Sequence, residues 1–246
     1  MQEFNKQKIN LKVYISILVL IIALIVVLFT MYKYNVEGEA VPPFIIEKMV
    51  VVSTAKTEDL KMQDETYTAE VVQNNDIKIA INKNPEYKKE AVIDKITINN
   101  IQILENSQVG NVEIYRPSKG IKNYEYIDEY KIADTLEYEG SQETYLKNDV
   151  LQIANQGGVI ELSIILNNLG EITYGENELL KVDGTLLKQL GIEELSYKIS
   201  FDLIVELTNG IKLKTKINLS LPVGDILTNG IETFEETNLK TVFKRI

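Results

Sequence analysis

Beyond an N-terminal transmembrane helix, this sequence predicts an all-β fold. The expected architecture is a two-sheet antiparallel β-sandwich with one short connecting helix. Three observations lead there. Twenty uncharged residues, 13–32, form one continuous apolar run. The chain after residue 43 alternates apolar and polar residues with a period of two. Turn residues punctuate that alternation at short intervals, the pattern of a sandwich.

The apolar run reads VYISILVLIIALIVVLFTMY. At about 1.5 Å per residue, such a helix spans about 30 Å, the thickness of a bilayer's hydrocarbon core. It has no polar face, unlike a helix of a soluble protein. Tyr14, Tyr32 and Tyr34 lie near its ends, where amphipathic rings favour the headgroup level. Residues 1–12 hold Lys6, Lys8 and Lys12 against Glu3, a net +2, whereas Glu37 and Glu39 follow the span. The positive-inside bias therefore predicts a cytoplasmic tail at 1–12, a transmembrane helix at 13–32 and an extracytoplasmic remainder at the cell membrane. A cleaved signal peptide is the rival, with Gly38-Glu39-Ala40 as its small-residue site. The run is longer than the 7–15 residues of a signal core, which favours an uncleaved anchor.

Residues 33–43 form a tether, stiffened by Pro42-Pro43. Residues 44–246 are expected to make one sandwich domain, or two sub-domains. Phe44–Ser53 is an apolar, β-branched strand, and Ile77, Ile79 and Ile81 mark a second that ends at Asn82-Lys83-Asn84-Pro85. Asn74-Asn75-Asp76 reads as turn chemistry. Ile96 and Ile98 are out of phase with Ile101 and Ile103, so Asn99-Asn100 is a bulge or a turn. Val112–Ile114 is a short strand closed by Pro117. Ile160, Leu162, Ile164 and Leu166 form another, bounded by Gly157-Gly158 and by Asn167-Asn168-Leu169-Gly170. Asp183 caps a helical turn holding Leu186, Leu187 and Leu190, with Gly191 just past its end. Val242-Phe243 is the last strand candidate.

The clearest element is a hairpin over 195–221. Leu195 to Leu207 and Ile211 to Leu221 alternate on both sides of Asn209-Gly210. A two-residue turn would set Leu207 against Lys212 and mix the faces. A three-residue loop, Thr208-Asn209-Gly210, pairs Leu207 with Ile211 and puts Gly210 in the left-handed position of a bulge. The outward pairs are then Glu206 with Lys212 and Asp202 with Lys216, with Ser200 and Asp202 on the wet face.

Several stretches carry a resemblance. Asn167-Asn168-Leu169-Gly170, Asp183-Gly184-Thr185-Leu186-Leu187-Lys188, Ile199–Ile204 and Leu219-Ser220-Leu221-Pro222 resemble uncharacterised single-span membrane proteins of low-GC Gram-positive bacteria. The likeness covers about a third of the chain and implies no activity. Lysine dominates the basic residues, with Arg116 and Arg245 the only arginines, which fits an AT-rich genome.

Composition narrows the function. The chain has no Cys and no His, which excludes thiolate and imidazole chemistry, disulfides and zinc-thiolate sites. No cofactor or metal is expected, and no calcium-loop motif occurs. The net charge is −10 overall, leaving −12 beyond the span, which argues against nucleic acid. Six of the 13 tyrosines, Tyr115, Tyr124, Tyr126, Tyr130, Tyr138 and Tyr145, cluster within 31 residues. Tyr124, Tyr126, Tyr130 and Tyr138 are the binding candidates, since a ring with a polar tip suits a protein partner. The same residues also serve as half-buried sheet cover. Ser118-Lys119 and Ser196-Tyr197-Lys198 lack a Ser-Lys hydrolase pattern. The expectation is a non-enzymatic, protein-binding or structural envelope module. The alternative is an envelope glycan hydrolase using a carboxylate pair.

Overall fold

The computed structural model describes residues 11–63, 65–117, 126–142, 150–175, 185–237, 239 and 241–246. Tyr124, Tyr145, Ser118, Lys119, Asp183, Lys6 and Lys8 lie outside them. Two compact units divide the chain, Met1–Ala40 and Val41–Ile246. The first contains helix α1, Leu11–Glu37. Its 27 residues give a length of about 40 Å. Successive side chains such as Ile17, Leu18, Val19 and Leu20 are all exposed, so the apolar surface runs around the whole helix. This one helix is long and apolar enough to cross a membrane, consistent with single-pass anchoring.

The second unit is a two-sheet sandwich. Its strands are β1 (Phe44–Gln63), β2 (Thr66–Lys83), β3 (Ile93–Glu105), β4 (Asn111–Tyr115), β5 (Leu136–Ser141), β6 (Gln152–Ala154), β7 (Gly157–Gly175), β8 (Tyr197–Leu207), β9 (Lys212–Leu221), β10 (Ile231–Thr237) and β11 (Lys244–Arg245). Short helices α2 (Thr185–Gln189) and α3 (Ile226–Asn229) connect strands. One sheet has the order β10-β1-β2-β7-β4 and the other β11-β9-β8-β3-β5-β6. All pairs are antiparallel except β5 with β6. That parallel pair departs from the uniformly antiparallel expectation.

A single apolar core lies between the sheets, drawing on inward residues of both, such as Ile77, Ile79 and Ile81 of β2 and Phe201, Leu203 and Val205 of β8. The hairpin of β8 and β9 has the three-residue loop. Leu207 N–H donates to Ile211 O (2.9 Å), and Gly210 N–H donates to Leu207 O (2.8 Å) with Gly210 at φ +82°. Glu206 faces Lys212, and their charged groups meet at 2.9 Å. Asp202 faces Lys216 in the register, but its carboxylate turns to Lys214 (3.4 Å) and Asn100 Nδ2 (3.1 Å). Ser200 and Asp202 are buried rather than wet. Strand β8 is interior to its sheet, so side chains of β3 and β9 close over it from both sides.

Several of the expected boundaries move. Asn74-Asn75-Asp76 is no turn but the middle of β2, because each of the three residues pairs with β1 on one side and β7 on the other. Asn167–Gly170 does not end β7. Asn168 (φ +55°) and Gly170 (φ +145°) bend the strand while it continues to Gly175. Asn99-Asn100 is a bulge, with Asn100 at φ +50° and a register shift against β8. The last strand falls at Lys244–Arg245, and Phe243 plugs the core instead. Gly191 ends α2 in the left-handed conformation (φ +74°).

Candidate functional site

The alternation of β2 builds two polar clusters from four consecutive residues. Gln73 and Asn75 point inward, while Asn74 and Asp76 point to the outer face. Inside, Ser53 Oγ donates to Asn75 Oδ1 (2.6 Å), and Gln73 Nε2 donates to the same atom (2.9 Å). Asn75 Nδ2 serves Gln73 Oε1 (3.0 Å), Ile164 O (3.2 Å) and the Tyr197 hydroxyl, which donates on to Gln73 Oε1 (3.2 Å). Val223 N–H donates to Ser53 Oγ (2.9 Å). Burial pushes the Tyr197 phenol upward, so it stays a neutral donor. Ser53, Gln73, Asn75 and Tyr197 are all fully buried.

The outer cluster lies under an aromatic ledge. Ser163 Oγ sits 2.6 Å from Asn74 Oδ1 and 2.9 Å from Asp76 Oδ1, and Asn74 Nδ2 donates to Asp76 Oδ1 (3.0 Å). Beside them Val72, Ile165 and Tyr115 form a small apolar patch on which Tyr126 and Tyr130 pack. The chain after residue 125 lies along β4, with Arg116 N–H donating to Tyr130 O (2.9 Å) and Ile132 N–H to Ile114 O (2.7 Å). A single 3-10 turn, Asp128–Tyr130, bends it over the sheet. Tyr115 and Tyr126 meet edge to face at 5.3 Å between centroids. Lys56 Nζ lies 4.2 Å from the Tyr126 ring centre, and the Arg116 guanidinium lies 5.0 Å from that of Tyr130.

Charges on the ledge are held in place. Lys56 binds Glu58 at 2.8 Å. Burial opposes its charge, yet Glu58 and Tyr126 hold its pKa above the usual lysine value. Burial raises the Tyr126 phenol, with Ser163 and Lys56 drawing it partly back. Burial also works against Glu113, but Lys131 and the Tyr115 hydroxyl (2.6 Å) hold its carboxyl below the usual range. Among the described residues no group of three or more acidic side chains is placed to hold a metal ion.

The four candidate tyrosines therefore separate. Tyr126 and Tyr130 share the ledge, and Tyr124 lies outside the described residues. Tyr138 belongs to the core: it is 4% exposed, and its hydroxyl bonds both the carbonyl and the N–H of Glu161. Its place on β5, facing the other sheet, leaves no ring surface for a partner. Reading the sequence missed Lys56, Arg116, Asn74, Asp76 and Ser163. One signal was present: a run of four polar residues, 73–76, between Val71-Val72 and the alternating Ile77, Ile79 and Ile81 marks a strand with polar partners on both faces. No protein family, no curated protein and no solved structure matches this chain.

Proposed function

We propose a single-span membrane protein whose β-sandwich lies outside the cytoplasm and binds a protein partner at the cell envelope. The ledge supports this reading. Ile127 is 48% exposed between Tyr126 and Tyr130, whose rings are already packed and flanked by Lys56 and Arg116. Preordered aromatic rings lose little entropy on contact, which suits a partner surface. The orientation rests on Lys6, Lys8 and Lys12 before the span. The resemblance to single-span proteins of low-GC Gram-positive bacteria supports the envelope setting.

A photo-crosslinking residue at Ile127, in the full-length chain on intact cells, tests the partner. An adduct is expected at Ile127, weakened by Tyr130→Ala, and none at exposed Glu90. Equal labelling at both positions rejects the ledge as the binding face. Protease added to intact protoplasts tests orientation separately. The C-terminal domain should be digested, and a protected C-terminal tag would overturn the outward topology.

A further inference from the structure

One side of the sandwich carries two open strand edges of opposite charge. Among the described residues strand β10 pairs with β1 alone, and Ala55 N–H donates to Gly230 O (2.7 Å). Antiparallel partners exchange backbone bonds at every second residue. Glu232, Phe234 and Glu236 therefore bond β1, while Ile231, Thr233 and Glu235 turn their N–H and C=O groups to the open edge. Strand β9 follows the same logic. The Leu207–Ile211 bond commits its odd-numbered residues to β8, and Ile246 N–H donates to Lys212 O (3.0 Å) on the other side. Strand β11 covers only Leu213 and Lys214. Among the described residues no strand lies beside Lys216, Asn218 and Ser220.

We infer that this side is a self-association surface, on which β10 of one copy pairs with β9 of a second copy, twice over, about a two-fold axis parallel to the strands. Direction and face both agree with it. Within one copy β9 ends at Leu221, near Ser53 through Val223, and β10 starts at Thr54 and runs back. The two strands are thus opposed, and rotation about an axis along them preserves that, giving an antiparallel pair. The same rotation brings outer face to outer face. The open backbone groups then set the register: Glu235 opposite Lys216, Thr233 opposite Asn218, and Ile231 opposite Ser220.

The side chains fit this register. Strand β10 holds Glu232, Glu235 and Glu236 and no basic residue, and β9 holds Lys212, Lys214 and Lys216 and no acidic one; within one copy Glu235 already meets Lys48 of β1 (2.7 Å), and Lys216 of the second copy would join that pair. Pairing β10 with β10 would set glutamates together, whereas β10 with β9 sets opposite charges across the ladder. On the inner face Phe234, 42% exposed, falls opposite Ile217, a core residue, so the pairing extends the apolar layer. The new ladder stops at Lys216, since Phe243 leads into β11 beside Lys214, and Glu232 keeps its bond from Asn229. Unpaired edges of this kind invite a second chain. The axis also leaves both Phe44 ends, where the tether enters, on one side. That last point rests on the anchored reading, and the edge pairing does not.

The chain has no cysteine, so engineered disulfides report cleanly. In a hydrogen-bonded pair the Cα atoms lie about 5.5 Å apart, within disulfide reach. The full-length Thr233→Cys/Asn218→Cys variant in detergent micelles should form a covalent dimer under mild oxidation. Thr233→Cys/Asn111→Cys, with Asn111 on the opposite edge strand β4, should stay monomeric. Adding Glu235→Lys should reduce the dimer, and adding Lys216→Glu to that should restore it. Tyr126→Ala should leave it unchanged, which separates this surface from the ledge. Equal yields from the two cysteine pairs, or a yield indifferent to Glu235→Lys, would overturn the proposal.

Discussion

Gln73 and Asn75 differ from Asn74 and Asp76 only by a step along β2, yet they meet opposite environments. The inner pair is enclosed by two sheets and satisfied from four strands, β1, β2, β7 and β8. Beside the outer pair pack Tyr126 and Tyr130, and the backbone of that stretch bonds β4 through Tyr130 and Ile132. Identical chemistry therefore does different things. Inside, each amide is irreplaceable because nothing else can reach its partners. Outside, Asn74 and Ser163 are buried too, but Asp76 stays partly exposed, so this cluster lies closer to solvent than the inner one.

Asn75→Ala should show the contrast most strongly. It strands Ser53, Gln73 and Tyr197 in a dry interior, and denaturant melts of residues 41–246 should register a loss of about 3 kcal/mol or more. Asn74→Ala should cost much less. Equal losses would mean that the outer cluster is as enclosed as the inner one.

The hairpin loop supplies a reference belonging to neither cluster. Gly210→Val forces a β-branched residue into φ +82°, for an expected loss of about 1–3 kcal/mol in the same melts. Asn209→Ala should cost less, since it removes only the bond that Asn209 Oδ1 accepts from Ile211 N–H (3.1 Å). Equal losses at both positions would contradict the three-residue loop.

Hydroxyl deletion compares the clusters atom for atom. Tyr197→Phe removes the donor to Gln73 and should cost about 1–2 kcal/mol. Tyr126→Phe should fall below about 0.5 kcal/mol, because its surroundings are half open to water. A larger loss at Tyr126 would reverse the assignment of structural and surface roles.

The smallest effect is a pH dependence at the ledge. The folded carboxyl of Glu113 lies below its ordinary 4.5, so its contribution is present above that value. It is lost as pH falls through the folded value. Glu113→Gln should lower the urea midpoint at neutral pH, and the gap to the parent should close as acid protonates the folded carboxyl. A gap that persists unchanged in acid would remove Glu113 from the charge network.

How far the fold was legible depended on whether information was local. The parity of apolar residues around Asn209-Gly210 settled a loop length, since one slipped residue would exchange the two faces. Twenty uncharged residues specified the helix, because length and solvation alone decide such a segment. The break of phase at Asn99-Asn100 was visible for the same reason.

The remainder belonged to contacts between distant strands. Asn74-Asn75-Asp76 has the composition of a turn, and only β1 and β7 on either side make it strand. Ser200 and Asp202 sit where alternation calls for water, and side chains from β3 and β9 bury them. The tyrosines looked alike in sequence. Tyr138 went to the core because β5 faces the other sheet, and Tyr126 to the surface because its segment crosses β4. Periodicity records which face a residue takes. What covers that face is decided by chain brought from far away in the sequence, and that only the tertiary structure determines.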